Sequence, residues 1–211
     1  MKLEKLQNKT AKLLVFDKKA LKLLEKDDNN LSANLKYWLK SGELIALKKG
    51  LYLFRDKYEK ESLKNEYLEY LANRLLSPSY LSLEYVLDKY SLLSESARAL
   101  TSVSNKSARE FSNSLGVWRY YSLPLRLFTG YKIKYFRNQP IYEASKAKAL
   151  FDFLYLRWRR GKEPNAKNIA DLRINWENLN QAERKELSAY FKLIPGRRWR
   201  MLKKIIDDYV S

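Results

Sequence analysis

Leu31-Ser32-Ala33-Asn34-Leu35-Lys36-Tyr37-Trp38-Leu39-Lys40-Ser41-Gly42-Glu43-Leu44-Ile45-Ala46-Leu47-Lys48-Lys49-Gly50-Leu51-Tyr52-Leu53-Phe54 is the stretch whose reading decides the fold. Leu31, Leu35, Trp38 and Leu39 recur at i, i+4, i+7 and i+8, which predicts an amphipathic helix with Ser32 as N-cap and Ser41-Gly42 as its stop. Leu44 to Leu47 and Leu51 to Phe54 then read as two short strands joined by the basic tip Lys48-Lys49-Gly50. Upstream, Leu3, Leu6, Leu13 and Leu14 predict an opening helix. Asp17 is the expected N-cap of a second helix carrying Leu21 and Leu24, and Asp27-Asp28-Asn29-Asn30 is expected to break it.

Helix, helix, turn, helix, basic hairpin is the order of a winged helix-turn-helix, expected over residues 1–58. After Lys57 the texture changes, and residues 59–211 are expected to form a second domain with a sheet-containing core at 59–160 and a helical part at 161–211. Leu63, Tyr67, Tyr70, Leu71 and Leu75 give an amphipathic helix that ends at Ser77-Pro78, and Ser82 is the expected cap of a short helix through about Lys89. Residues 99–142 are rich in Val, Ile, Tyr, Phe and Thr, with turn signals at Asn113-Ser114, Pro124, Gly130 and Asn138, which predicts a small antiparallel sheet. Ala147 to Trp158 is apolar almost all round, as a helix buried against that sheet would be. Helices from Asn180 to Leu193 and from Gly196 to Tyr209 close the chain, the first with Asn180 and Glu183 as a capping box. The expected class is α+β.

Composition narrows the chemistry. The 211 residues include no His and no Cys, which excludes a Ser-His-Asp triad, a Cys nucleophile, an imidazole or thiolate zinc site and any disulfide framework. Forty-two Lys and Arg against 24 Asp and Glu leave a formal charge of +18, and thirds of the chain share it evenly, so a polyanionic partner is expected to meet folded basic faces. No apolar run is long enough to cross a membrane, and the start Met1-Lys2-Leu3-Glu4-Lys5 lacks the uncharged run of a signal peptide. A soluble, cytoplasmic chain with no membrane contact is expected.

With Leu31, Leu35, Trp38 and Leu39 inward, the helix leaves Ala33, Lys36, Tyr37 and Lys40 outward. Ala33, Asn34 and Tyr37 are candidates for contact with base edges in a major groove. Lys36 and Lys40 lie nearer phosphates, and Lys48 and Lys49 would act as the wing. A scaffold with solvated lysines is the bland counterpart of this reading. A second basic surface is expected from Arg197, Arg200, Lys203 and Lys204 on the last helix, with a smaller cluster of Arg157, Arg159 and Arg160 around Trp158; here a solvated face is the default. The aromatic residues fall mostly at core spacing. Asp88, Asp152, Asp207 and Asp208 show no pairing that argues for a two-carboxylate or metal site, and no Gly-rich phosphate loop occurs, so no cofactor, metal or catalytic residue is expected and the chain does not read as an enzyme.

Leu39-Lys40-Ser41-Gly42-Glu43-Leu44, Lys49-Gly50-Leu51-Tyr52-Leu53, Pro78-Ser79-Tyr80-Leu81-Ser82-Leu83-Glu84-Tyr85-Val86-Leu87, Leu127-Phe128-Thr129-Gly130-Tyr131 and Lys148-Ala149-Leu150-Phe151-Asp152 follow one another in an order that resembles the AbiEi family of antitoxins. The resemblance covers about residues 13–158. It departs at Tyr120-Tyr121-Ser122, where many members carry His. The resemblance implies a bacterial type IV toxin–antitoxin (abortive infection) system of antiviral defence. In it, a winged helix represses the operon at an inverted repeat in double-stranded DNA, a role the resemblance gives here to Ser32, Asn34, Lys36, Tyr37, Lys40, Lys48 and Lys49, and a C-terminal domain counteracts a nucleotidyltransferase-like toxin, directly or indirectly. Two rival readings stand beside it: a plain winged-helix regulator whose second domain senses a ligand or dimerises, and a metal-dependent nucleic-acid-processing enzyme using carboxylates such as Asp152.

Overall fold

The computed structural model describes residues 3–10, 13–22, 25, 27–161 and 163–210. It is a mixed α+β structure whose contacts divide the chain into two units, Met1–Leu71 with Phe111–Gly116, and Ala72–Glu110 with Val117–Ser211.

The first unit opens with α1 (Leu3–Lys9), β1 (Phe16–Asp17) and α2 (Lys18–Lys22). The opening helix is shorter than its leucines suggested. Leu13 and Leu14 lie beyond it, Leu13 exposed, because Thr10 turns back to bond the Leu6 carbonyl with both its backbone N–H and its hydroxyl. Asp17 caps α2 as expected, accepting from the Ala20 N–H at 2.7 Å. Leu24, placed by periodicity on that helix, lies outside the described residues. Next come α3 (Asp28–Lys40), β2 (Leu44–Lys48), β3 (Leu51–Phe54) and α4 (Arg55–Glu59).

The two strands form the expected hairpin, with Leu44 opposite Phe54 and a bulge between Ala46 and Lys48. They are joined by a third strand that periodicity did not show, β1, pairing Phe16 with Tyr52 in the order β1-β3-β2. Leu6, Phe16, Leu21, Leu31, Leu35, Trp38, Leu44 and Phe54 form one buried cluster, so the inward arc read from α3 is the arc that packs. Burying side chains of this size contributes roughly 1.5–3 kcal/mol each, which is why a sheet with a two-residue strand is stable here.

α5 (Lys64–Leu75) continues from the first unit into the second and ends before the cis peptide Ser77–Pro78. The second unit contains β4 (Tyr80–Leu81), α6 (Leu83–Lys89), β5 (Leu100–Ser104), the start of β6 (Arg109–Asn113), which continues into the Phe111–Gly116 segment of the first unit, nearly all of β7 (Gly116–Ser122), and β8 (Tyr131–Phe136), β9 (Gln139–Ala144), α7 (Lys146–Trp158), α8 (Ala166–Ala170), α9 (Gln181–Lys192) and α10 (Arg197–Val210). The sheet runs β6-β7-β5-β4-β9-β8.

The sheet is mixed, which corrects the expected antiparallel arrangement. β5 pairs parallel with β7 and β4 parallel with β9, while β4–β5 and β8–β9 are antiparallel. Alternation within a strand reports which faces are buried and carries nothing about the neighbour's direction, so parallel pairs made through longer connections escaped it. α7 is buried through most of its length, and α9 has the capping box of Asn180 and Glu183 in both directions. Among the described residues no helix is long and apolar enough to cross a membrane.

Candidate nucleic-acid interface

Asp27 fixes where α3 begins. Its backbone is extended and its carboxylate accepts from the backbone N–H of Asn29 at 2.8 Å and of Asn30 at 3.1 Å, satisfying donors that a helix start otherwise leaves open. The helix therefore begins four residues ahead of the expected cap. Asp27-Asp28-Asn29-Asn30, read as a break, supplies the cap and first turn. Ser32 lies inside the helix, where its hydroxyl accepts from the Lys18 ammonium at 3.2 Å. The far end stops as expected: Ser41 is the C-cap, Gly42 follows at φ +81°, and its carbonyl accepts from Arg55 Nε at 2.6 Å.

On the outward side of α3, Ser32, Ala33, Lys36, Tyr37 and Lys40 are exposed, Tyr37 by 66%, and Asn34 is half-buried at the edge of the packed arc. An exposed tyrosine of that extent is an apolar surface without an intramolecular use. Among the described residues, Lys36 and Lys40 have no ion-pair partner. The start of the helix is different in charge. Asp28 is bound to Lys22 at 2.7 Å, and that hydrogen bond holds its carboxyl below the ordinary aspartate range. The earlier start puts two carboxylates at the N-terminal end, so the cationic part of the face is its second half: Lys36, Tyr37 and Lys40.

The hairpin tip is built by Lys48, Lys49 and Gly50, the glycine at φ +81° with its carbonyl accepting from the Lys18 N–H at 3.1 Å. Lys49 is exposed. Lys48 is half-buried, with its ammonium 5.6 Å from the centre of the Phe111 ring, and Asn113 Nδ2 donates to the Leu47 carbonyl at 3.0 Å. The two lysines of the expected wing are thus unequal: one reaches solvent and one is partly held by an aromatic face. No protein-family model and no curated protein matches the chain.

The second basic surface is divided in the same way. Arg197, Arg200 and Lys204 of α10 are exposed, but Lys203 is half-buried and bound to Asp207 at 2.6 Å. Arg198 donates to the carbonyls of Trp158 at 3.0 Å and Gly161 at 2.8 Å, and Trp199 stacks on Tyr155 with centroids 5.1 Å apart. These contacts dock the helix and leave three of its cations outward. Arg159 donates to the Ser122 carbonyl at 2.9 Å.

A buried polar cluster in the second unit was not foreseen. Asp152, fully enclosed, accepts on Oδ2 from the Tyr80 hydroxyl at 2.9 Å and the Ser82 hydroxyl at 2.8 Å, and on Oδ1 from the Lys148 ammonium. That ammonium also lies over the rings of Phe151, Tyr190 and Tyr80 at 5.1, 5.4 and 5.6 Å. Burial pushes the Lys148 amine down and the Asp152 carboxyl up, each opposed by the attraction of the other.

Ser82 is the N-cap of α6 by position, as expected, yet its hydroxyl is used by Asp152. Thr101 Oγ1 from β5 accepts from the Tyr85 N–H at 3.0 Å in its place. Gly130, at φ +77°, completes the cluster: a Cβ there would fall on the Tyr190 hydroxyl and within 3.0 Å of Lys148 Cδ. The sequence signal available was Lys148 and Asp152 four residues apart in an otherwise apolar helix. Among the described residues no group of three or more potential metal ligands occurs.

Proposed function

We propose that this chain is an AbiEi-like antitoxin: residues 1–58 act as a winged helix that binds an inverted repeat in its own promoter and represses the operon, and the remainder counteracts a nucleotidyltransferase-like toxin. The observation that carries the reading is the outward side of α3, where exposed Lys36, Tyr37 and Lys40 share one unit with the exposed Lys49 of the hairpin tip. A helix face of this kind can lie in a major groove while the hairpin cations meet the flanking backbone. The order helix, strand, helix, helix, hairpin, closed by the short strand β1, supports the same reading.

Three stretches that carry the family resemblance also converge on one buried cluster: Tyr80 and Ser82, then Gly130, then Lys148 and Asp152. That gives their joint occurrence a physical reason and makes their role one of building the second unit. Asp152 accepts three donors and is fully enclosed, so it serves as an anchor in this reading and not as a catalytic carboxylate.

The test uses the full chain. Its affinity for the promoter fragment upstream of its gene is compared with a scrambled duplex of equal length at about 150 mM salt. A preference of tenfold or more for the promoter supports repression, and equal affinity removes it. Relief of growth arrest when the chain is expressed with the neighbouring gene, lost when residues 59–211 are deleted, tests the antitoxin half.

A further inference from the structure

The second unit holds a cleft of about 630 Å³, apart from the Lys148–Asp152 cluster. That volume lies within the range of small-molecule sites. Its lining receives four guanidinium side chains from four separate places in the chain: Arg98 ahead of β5, Arg119 on β7, Arg157 near the end of α7 and Arg173 after α8. Three carboxylates, Glu84, Glu95 and Asp171, share the lining, so what marks the cleft is which of its four cations lack a partner. Arg119 is bound to Glu110 at 2.7 Å and Arg157 lies over the Trp158 ring, but among the described residues the guanidinium groups of Arg98 and Arg173 have no hydrogen bond or ion pair.

Glu84, on α6, belongs to the same lining, and its Oε2 is buried with no hydrogen-bond partner among the described residues. A buried carboxylate oxygen normally takes a donor. Glu95 and Asp171 line the cleft too, so cations and carboxylates are mixed. A bare inorganic anion would be attracted by the first and repelled by the second. A ligand with phosphate at one end and N–H or O–H groups at the other uses both. Tyr121 and Phe153, half-buried in the lining, add ring surface for a flat heterocycle.

The geometry points to a nucleoside phosphate as the occupant of this cleft, its phosphate oxygens on the forked N–H groups of Arg98 and Arg173 and a ribose hydroxyl or base amino group donating to Glu84 Oε2. The assignment stands on the second unit alone and is independent of the DNA-binding reading of residues 1–58.

Calorimetric titration of the full-length protein with ATP, GTP, CTP and UTP tests it, with inorganic pyrophosphate and the matching nucleoside as separate arms and no added divalent cation. At least one nucleotide is expected to bind with Kd below about 100 μM, and pyrophosphate and the nucleoside each at least about tenfold more weakly. Arg98→Ala with Arg173→Ala should weaken the nucleotide by about tenfold or more. Both residues are exposed, so the melting curve should stay that of the wild type. Glu84→Gln should weaken the nucleotide severalfold and, by removing a negative charge from the cleft, leave pyrophosphate no weaker or slightly tighter. Absence of binding by all four nucleotides up to about 1 mM overturns the assignment, as does pyrophosphate binding as tightly as the nucleotide, or an affinity that neither variant moves.

Discussion

Replacing Lys36, Lys40 and Lys49 together by alanine gives the sharpest test of the proposed DNA interface. All three are exposed, and among the described residues none has an ion-pair partner, so each is available to a phosphate and none holds the fold. Alanine also suits the interior of α3 at positions 36 and 40. Each phosphate neutralised contributes about −0.9 to the slope of log K against log salt, so three lost contacts should flatten the slope by roughly 2.7. Between 50 and 200 mM salt, about 0.6 log units, the wild type should then lose roughly 40-fold more affinity than the variant. Lys48→Ala alone should flatten the slope by less than about 0.9, because the Phe111 ring partly holds that ammonium. Fluorescence anisotropy on a duplex of about 30 base pairs reads these slopes, and sequence is immaterial because the phosphate component is common to all duplexes. A triple variant whose slope stays within about 0.5 of the wild type, with its helical circular dichroism intact, would refute the placement of DNA on this face.

Three further outcomes concern the second unit. Lys148→Met leaves the Asp152 carboxylate enclosed without its cation and should cost about 3–5 kcal/mol, read as a fall in Tm of roughly 6–20 °C; combined with Asp152→Asn, which keeps an acceptor for Tyr80 and Ser82, the loss should be clearly smaller than the sum of the two singles, and strict additivity would remove the pairing. Burial alone would raise the Glu143 carboxyl, but hydrogen bonds from Lys134 at 2.6 Å and Lys89 at 2.8 Å hold it below the ordinary glutamate range. Its stabilisation is therefore present above that range and lost as pH falls through the lowered value, so urea midpoints of wild type and Glu143→Gln should differ at pH 7 and converge toward pH 3, and a gap constant with pH would contradict this. Gly130→Ala should cost about 2–4 kcal/mol, from its left-handed backbone and the collision with Tyr190, and Tyr190→Phe should recover part of it in a chemical denaturation series.

Which features could be read from residues alone follows from what periodicity measures. The inward arc of α3, the amphipathic α5, the buried α7 and the capping box of α9 each depend on residues within a few positions of one another, and each is where it was expected. Ser32 was misjudged because two capping residues compete, and Asp27 prevails by reaching two backbone donors at once. β1 is too short for alternation to show, and the parallel pairings of β4 and β5 depend on partners up to about sixty residues away. The Lys148–Asp152 cluster was hidden for a related reason. An i,i+4 pair of opposite charge ordinarily signals a solvated helix face, and only the packing of Tyr80, Phe151 and Tyr190 around it reveals enclosure. The cleft draws its arginines from four places between residues 98 and 173, a grouping that no local pattern contains.

The anchor at Asp152 also bears on how such a protein can be inherited. Its donors come from positions 80, 82 and 148, so a crossover between residues 82 and 148 with a partner that lacks these side chains yields a product in which hydroxyls or a carboxylate are sealed from water without a counterpart. Exchange within that span is therefore expected to succeed only between chains that both carry the three donors and the carboxylate, which ties the inheritance of position 80 to that of position 152 across about seventy residues.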